Sequence, residues 1–188
     1  MDNLTDLHRR ALDATGAVVA AIGPDQWSLA TPCEGWDVRT LATHVVAGNL
    51  WAAELASGRT IEDVGTALDG DVLGADPSSA YTRSAAAAAT AFEAPGALEA
   101  PCAVSYGPVP GSIYAGHRTV DVFVHGWDLA KATGQNTTLN PELVDACLAI
   151  VEPQLDILQA SGQFGTPASS TPGDSPQVRL LHQLGLQD

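Results

Sequence analysis

The sequence predicts an all-α fold, a helical bundle with long connections and an extended C-terminal tail. Apolar residues recur at helical spacing in several separate segments, and proline, glycine and polar residues interrupt the chain between those segments. The chain has 188 residues, a natural length for one domain that buries a substantial core. A short apolar alternation around Cys102 predicts an irregular connection with a strand-like piece rather than a sheet.

The first two helices are predicted from their apolar faces and their ends. The first helix ends at Gly23, and its inner face is predicted to carry Leu4, Leu7, Ala11, Ala14, Val18 and Ile22. Asp37 is a suitable N-cap for a second helix that runs to Ser57. Residues 59–75 are rich in glycine and acidic side chains, which predicts a long surface loop containing one helical turn.

Three further helices complete the predicted bundle. An aspartate–proline start and a run of alanines predict a third helix over residues 76–94. The fourth is predicted over 112–133, and an asparagine–proline start opens a fifth over 140–160 with a kink at its internal proline. We expect one domain, with the bundle in residues 1–162 and a C-terminal strap with a short helical turn in 163–188.

Charge and cysteine usage restrict the classes of partner. The 8 lysines and arginines against 22 aspartates and glutamates give a formal net charge of −14, which disfavours binding to nucleic acid. The 3 cysteines are an odd number without CxxC spacing, which favours a reducing compartment. With no leader-like start and no apolar run of about 18 residues, we expect a cytoplasmic protein that does not enter membranes.

The fourth helix carries an ionisable stripe beside its core face. At about 100° per residue, the core arc holds Ile113, Val120, Phe123, Val124 and Trp127. The stripe next to it consists of His117, Asp121, His125 and Asp128. The arc expected to face solvent holds Thr119, Gly126 and Ala130. Apolar neighbours on both sides of the stripe imply partial burial, and buried charges need a partner or a metal ion.

Two members of that stripe have the spacing of metal ligands. Asp121 and His125 are four residues apart, so both side chains can reach one ion. His44, on the inner face of the second helix, is the third candidate ligand in a bundle. Two imidazoles and one carboxylate would leave coordination positions open, as in catalytic metal sites. The same spacing also fits a simple hydrogen-bonded pair.

Two motifs resemble a known superfamily. Residues 31–44 (TPCEGWDVRTLATH) and 117–130 (HRTVDVFVHGWDLA) resemble the DinB-like superfamily, specifically its mycothiol-dependent maleylpyruvate isomerase branch. The closing residues 164–185 resemble a compact subgroup of the isomerase metal-binding N-terminal domain family that lacks the C-terminal domain. The resemblance implies an up-down-down-up four-helix bundle with metal bound at one end, and it makes a homodimer plausible.

The resemblance also implies roles for individual residues. His44 matches the histidine of the first motif, and Asp121 with His125 matches the carboxylate–histidine pair of the second. The isomerases carry glutamate where Asp121 stands, so the identity of the divalent metal stays open. Zinc is expected, with nickel or iron as alternatives. His117 is the candidate catalytic residue, as a proton carrier; a fourth ligand and a hydrogen-bonded histidine near the helix start are the other interpretations.

Neighbouring residues of the motifs receive simpler interpretations. Trp36 and Trp127 are predicted to be packing anchors, and Cys33 a buried small hydrophobic residue rather than a nucleophile. Asp128 is a candidate to orient the ring of His125. An anionic substrate could be contacted by Arg39, Arg83 or Arg118.

The leading functional hypothesis is a metal-dependent S-transferase or isomerase that uses a low-molecular-weight thiol, mycothiol, on a small electrophile. A coordinated thiol ionises near a divalent cation, which supplies a nucleophile at neutral pH. The alternative is a non-catalytic metal-binding or structural module of the same fold. A third hypothesis, a non-haem iron oxygenase, shares the ligand type but is disfavoured by the helical frame.

Overall fold

The computed structural model describes residues 3–156, 168 and 173–187, and the chain divides into two compact units, 1–136 and 137–188. The all-α, DinB-like prediction is confirmed. The first unit is built on four long helices, namely α1 (Leu4–Ala20), α2 (Val38–Ala56), α4 (Pro77–Glu93) and α5 (Gly111–Ala132). A single helical turn, α3 (Ile61–Val64), lies in the connection between α2 and α4, as the glycine-rich segment predicted.

The four long helices run up, down, down and up. Tyr81, near the start of α4, donates from its hydroxyl to the Leu12 carbonyl (2.8 Å), while Phe92 at the end of α4 contacts the His8 ring. Since the later α4 residue meets the earlier α1 residue, α1 and α4 are antiparallel. The neighbours α2 and α4 run in the same direction, so the chain between them must return along the bundle, which explains its length.

Capping side chains fix the helix starts that the sequence predicts. The carboxylate of Asp37 accepts from the Thr40 backbone N–H at 2.8 Å, and that of Asp76 accepts from the Ser79 N–H at 3.0 Å. Each bond satisfies one of the backbone donors that a helix leaves unpaired in its first turn. Gly58 follows α2 with φ +87°, a left-handed conformation that favours glycine after a helix.

A β-hairpin connects α4 to α5. Strand β1 (Pro101–Val104) pairs antiparallel with β2 (Gly107–Pro110), and Cys102 lies opposite Val109. The strand-like piece predicted around Cys102 is therefore one half of a two-stranded ribbon. Cys102 is fully buried, whereas Tyr106 in the turn is 56% exposed. The hairpin thus anchors one side on the bundle and presents its turn beside the start of α5.

The solvent-facing arc predicted for α5 is wrong. Thr119, Gly126 and Ala130 are all buried, whereas Ile113, predicted to face the core, is 44% exposed. The reason is that α1 packs along this side of α5. A Cβ atom on Gly126 would lie only 2.3 Å from the hydroxyl oxygen of Thr15, so the small residues mark a close helix–helix contact.

The predicted inner face of α1 is confirmed in part: Leu4, Val18 and Ile22 pack against the core while partly exposed, whereas Ala14 is exposed. Only Ala11 of the six predicted residues is fully buried; the residues that are buried on this helix are Thr5, His8, Ala11, Leu12, Thr15 and Val19. A polar residue can face the core where its side chain finds an internal partner. The hydroxyl of Thr15, for example, donates to the Val122 carbonyl at 2.9 Å.

The second unit contains α6 (Pro141–Val151), a 3₁₀ turn (Glu152–Gln154) and a C-terminal helix (Pro176–Gln183). The 3₁₀ turn holds the proline at which a kink was predicted. The predicted continuation of the fifth helix to residue 160 and most of the predicted strap lie outside the described residues. Within the part of the chain that is described, no helix is long and apolar enough to cross a membrane.

Candidate metal centre

Helices α2 and α5 bring His44, Asp121 and His125 together, although 77 residues separate the first from the second. The Nε2 atom of His44 lies 3.5 Å from Oδ1 of Asp121, and the Nε2 atom of His125 lies 3.6 Å from the same oxygen. The two imidazole rings meet edge to face, with centroids 5.1 Å apart. All three ligand-type atoms lie within 4.8 Å of one another, and each side chain is partly open to solvent.

The separations among these atoms fit a divalent ion. At 3.5 and 3.6 Å, the two N···O distances exceed the usual 2.7–3.2 Å range of a hydrogen bond. Ligands about 2.0–2.2 Å from a tetrahedral zinc ion stand about 3.3–3.6 Å apart, which matches both distances. Two imidazole nitrogens and one carboxylate oxygen are also ligand types that zinc accepts. The residues present therefore fit the metal that the resemblance implies.

Asp128 orients the ring of His125. Its Oδ2 atom lies 3.0 Å from Nδ1 of His125, and the aspartate itself is fully buried. With Nδ1 held from that side, Nε2 is the nitrogen directed toward Asp121 and His44. A carboxylate behind a ligand histidine is the common arrangement that fixes the ring and its tautomer in metal sites.

Arg118 holds the other oxygen of Asp121. Its Nη1 atom donates to Oδ2 of Asp121 at 2.7 Å, and its Nη2 atom donates to the side-chain oxygen of Asn49 at 3.2 Å. Arg118 is only 7% exposed. The two carboxylate oxygens of Asp121 thus face different partners, Oδ1 the two histidines and Oδ2 the guanidinium.

The electrostatics of the cluster follow from these contacts. Burial opposes ionisation of Asp121, but the positive charges of Arg118 and His125 outweigh it and hold the pKa of Asp121 well below its usual range. Burial likewise opposes the charged form of His125, but the carboxylates of Asp121 and Asp128 outweigh it and raise the pKa of His125 to about 10. These contacts therefore favour an ionised Asp121 carboxylate beside positive charge.

His117 lies outside the three-residue cluster. It is one helical turn before Asp121 on α5, and its Nδ1 atom lies 2.7 Å from the hydroxyl oxygen of Tyr106 in the hairpin turn. Among the described residues, the groups with metal-ligand spacing do not include it. The geometry therefore separates His117 from the predicted ligands and connects it to an exposed tyrosine.

Cys33 differs from its predicted role. It is half-buried rather than buried, and its Sγ atom lies 3.5 Å from Oδ2 of Asp128 and 3.9 Å from Nδ1 of His125. The sequence shows no ionisable neighbour because both are on α5, more than ninety residues further on. Trp36, from the same connection before α2, packs its ring 5.1 Å from that of His44.

Arg118 and Gly48 are the residues that sequence reasoning missed at this site. Arg118 was considered only as a contact for an anionic substrate, yet its guanidinium is buried against Asp121. Gly48 lies within α2, and its lack of a side chain makes room for that guanidinium. The sequence could have indicated this ion pair, because Arg118 and Asp121 are three residues apart on one helix.

Fold and site together define a class, a DinB-like four-helix bundle with two histidines and one carboxylate converging between its second and last long helices. Residues 8–130 match the family model described as the mycothiol maleylpyruvate isomerase N-terminal domain. This match spans more than half of the chain, so the protein belongs to that family.

Similar proteins occur among sequences from two bacterial strains and among solved crystal structures. The chain is 41% identical over 155 residues to uncharacterized proteins from two strains of Mycobacterium tuberculosis, CDC 1551 / Oshkosh and ATCC 25618 / H37Rv, covering 78% of this chain and 79% of each relative. Crystal structures of the mycothiol-dependent maleylpyruvate isomerase and of a mutant of it match with a TM-score of 0.64. They cover 87% of this chain and 72% of theirs, at 15% and 14% identity. At that identity the structural match shows the fold alone.

Proposed function

We propose that His44, Asp121 and His125 hold one divalent metal ion, with zinc as the expected ion. The observation that carries the proposal is the convergence of two Nε2 atoms on one carboxylate oxygen at 3.5 and 3.6 Å. The assignment of residues 1–162 as one metal-binding domain belongs to the same proposal. The support of Asp128 for His125 is consistent with it, since ligand histidines usually have such a partner.

The function that this centre supports best is activation of a low-molecular-weight thiol, of the mycothiol type, for transfer to or addition on a small electrophile. Membership of the isomerase N-terminal domain family supports the choice of thiol. A divalent cation at the site would supply ionisation of the thiol near neutral pH. Partial exposure of all three ligand side chains supports access for a small molecule from solvent.

The chain's own residues would handle the proton. His117 lies one turn from Asp121, and we assign it the role of the base that accepts the proton of the thiol. The Tyr106 hydroxyl, 2.7 Å from His117 Nδ1 and on a side chain 56% exposed, connects that histidine to solvent. In a substitution on an aryl halide, sulfur forms the new C–S bond, chloride leaves with its bonding electrons, and the proton passes through His117 to water.

A thiol-transfer assay tests this function. Mycothiol is mixed with 1-chloro-2,4-dinitrobenzene, or with an α,β-unsaturated ketone for addition, and product formation is followed with zinc-loaded and chelator-stripped protein. We expect the zinc-loaded protein to accelerate at least one reaction, and His117→Gln to bind zinc normally while losing about 10²-fold in rate. Equal rates for zinc-loaded, stripped and His44→Ala protein with both electrophiles would contradict the thiol-transfer function.

A further inference from the structure

We infer that Arg118 is a positioning residue that confines Asp121 to one ligating oxygen and gives the metal centre a preference for an anionic sulfur ligand. The inference rests on the proposed metal site and deepens it. It concerns the charge and denticity of the centre, which determine the form of thiol that it prefers. Arg118 itself touches neither the proposed metal nor, on this account, the thiol.

The two carboxylate oxygens of Asp121 have different partners. Oδ1 is the oxygen that both histidine Nε2 atoms approach, and Oδ2 is the oxygen bonded to Arg118 at 2.7 Å. A charge-assisted bond of this length is among the stronger hydrogen bonds in proteins. The Arg118 bond occupies one acceptor site of Oδ2, which favours Oδ1 as the oxygen that binds the metal.

The guanidinium is held from behind by buried polar groups. Its Nη2 atom donates to Oδ1 of Asn49 at 3.2 Å, and the Asn49 amide donates to the Ser84 hydroxyl at 3.3 Å. Ser84 in turn donates to the Tyr81 carbonyl at 2.9 Å. Asn49 and Ser84 are almost fully buried. This chain of contacts ties the position of Arg118 to helices α2 and α4.

Gly48 provides the space that the guanidinium occupies. A Cβ atom at this position would lie 2.4 Å from Nη1 and 2.6 Å from Nη2 of Arg118. Glycine is poorly suited to a helix interior, yet Gly48 lies within α2, one turn after His44. A glycine here permits Arg118 to cross between the helices and reach Asp121.

The consequence is a centre whose net charge stays high. Two neutral imidazoles add no charge, and the one carboxylate is matched by the guanidinium at 2.7 Å. A divalent ion held there would keep almost its full positive charge within a partly buried site. Coulomb attraction in such a setting favours a thiolate over a neutral ligand by about tenfold or more for each nearby positive charge.

Cobalt substitution tests the inference without any enzymatic assay. Wild type, Arg118→Met and Gly48→Ala are loaded with Co²⁺ and titrated with 2-mercaptoethanol, and sulfur-to-cobalt charge-transfer absorption is measured. Chelator competition gives the Co²⁺ affinity of each protein. Arg59→Met is the matched control, because Arg59 makes an exposed ion pair with Glu54 at the other end of α2.

We expect Arg118→Met to retain Co²⁺ and to bind 2-mercaptoethanol about tenfold or more weakly than wild type, with Arg59→Met unchanged. Gly48→Ala should shift thiol affinity in the same direction, since the added methyl displaces the Arg118 guanidinium from Asp121. If Arg118→Met does not fold, the thiol affinity of Gly48→Ala tests the inference in its place. Unchanged thiol affinity in a Co²⁺-loaded variant would overturn the inference, whereas a wild type that takes up no Co²⁺ would overturn the proposed metal site itself.

Discussion

At the scale of single residues, each partly exposed ligand candidate of α5 is held by a buried neighbour. Asp128, fully buried, holds Nδ1 of His125, and Arg118, 7% exposed, holds Oδ2 of Asp121. Side chains held in this way lose little further freedom when they bind an ion. The site is therefore preorganised by residues that would not themselves touch the metal.

Replacing Asp128 with asparagine tests this support. We expect Asp128→Asn to weaken zinc affinity about 10–100-fold, because the His125 ring loses the charged acceptor that fixes its orientation. Affinity is measured by competition with a chromophoric chelator, and circular dichroism checks the fold. Asp145→Asn, an exposed position on α6, is the matched control. Equal zinc affinity in the two variants would show that Asp128 does not support the ligand.

His8 makes the stability of the bundle depend on pH. The side chain is 1% exposed, and neither ring nitrogen has a hydrogen-bond partner among the described residues. Burial and the nearby charge of Arg118 lower the pKa of His8 to about 3, against 6.5 in the unfolded chain. Between these values the unfolded state binds the extra proton, so stability falls as pH decreases and is unaffected above pH 6.5.

We therefore expect wild type to lose about 1.6 kcal/mol of unfolding free energy through His8 between pH 6.5 and pH 5. His8→Leu lacks this loss, so its stability relative to wild type should increase as the pH is lowered. Urea unfolding of both proteins at pH 5, 6.5 and 8 measures the difference. A stability gap that stays constant from pH 8 to pH 5 would contradict a neutral buried His8.

At the scale of elements, helix boundaries followed from local chemistry, whereas helix faces did not. Caps such as Asp37 and Asp76 act within their own first turn, so the sequence alone reveals them. The buried side of α1 depends on partners from another helix. Thr15 faces the core because the Val122 carbonyl accepts its hydroxyl, which hydrophobic periodicity cannot indicate. Gly126 was likewise predicted to face solvent, because the residue that covers it, Thr15, belongs to α1 and not to its own helix.

The contact between α1 and α5 is tested at Gly126. An added methyl group would approach the Thr15 hydroxyl oxygen to 2.3 Å, so we expect Gly126→Ala to destabilise the fold by about 1–3 kcal/mol despite the better helix propensity of alanine. Thr15→Ala removes the hydroxyl and should relieve much of the cost. Urea unfolding of both single variants and the double variant gives the coupling. Strictly additive effects would argue against a direct contact between these positions.

At the scale of the whole molecule, the sequence revealed the candidate ligands but not the setting that holds them. His44, Asp121 and His125 lie in two motifs that resemble a known family, so their grouping was predictable. Arg118 and Gly48 act together only because α2 and α5 are antiparallel neighbours. Arg118 is buried and paired with Asp121, so it adds no exposed positive charge that would mark the site.

The central claim, a divalent metal ion held by His44, Asp121 and His125, is tested most directly by elemental analysis of protein purified without a metal-affinity tag. We predict about one equivalent of metal, zinc above all, in wild type and in His8→Leu, and its loss in His44→Ala and Asp121→Ala. A folded wild type that contains no metal and takes up no added zinc would contradict the claim. The cluster would then be a network of partly buried charges in a non-catalytic bundle.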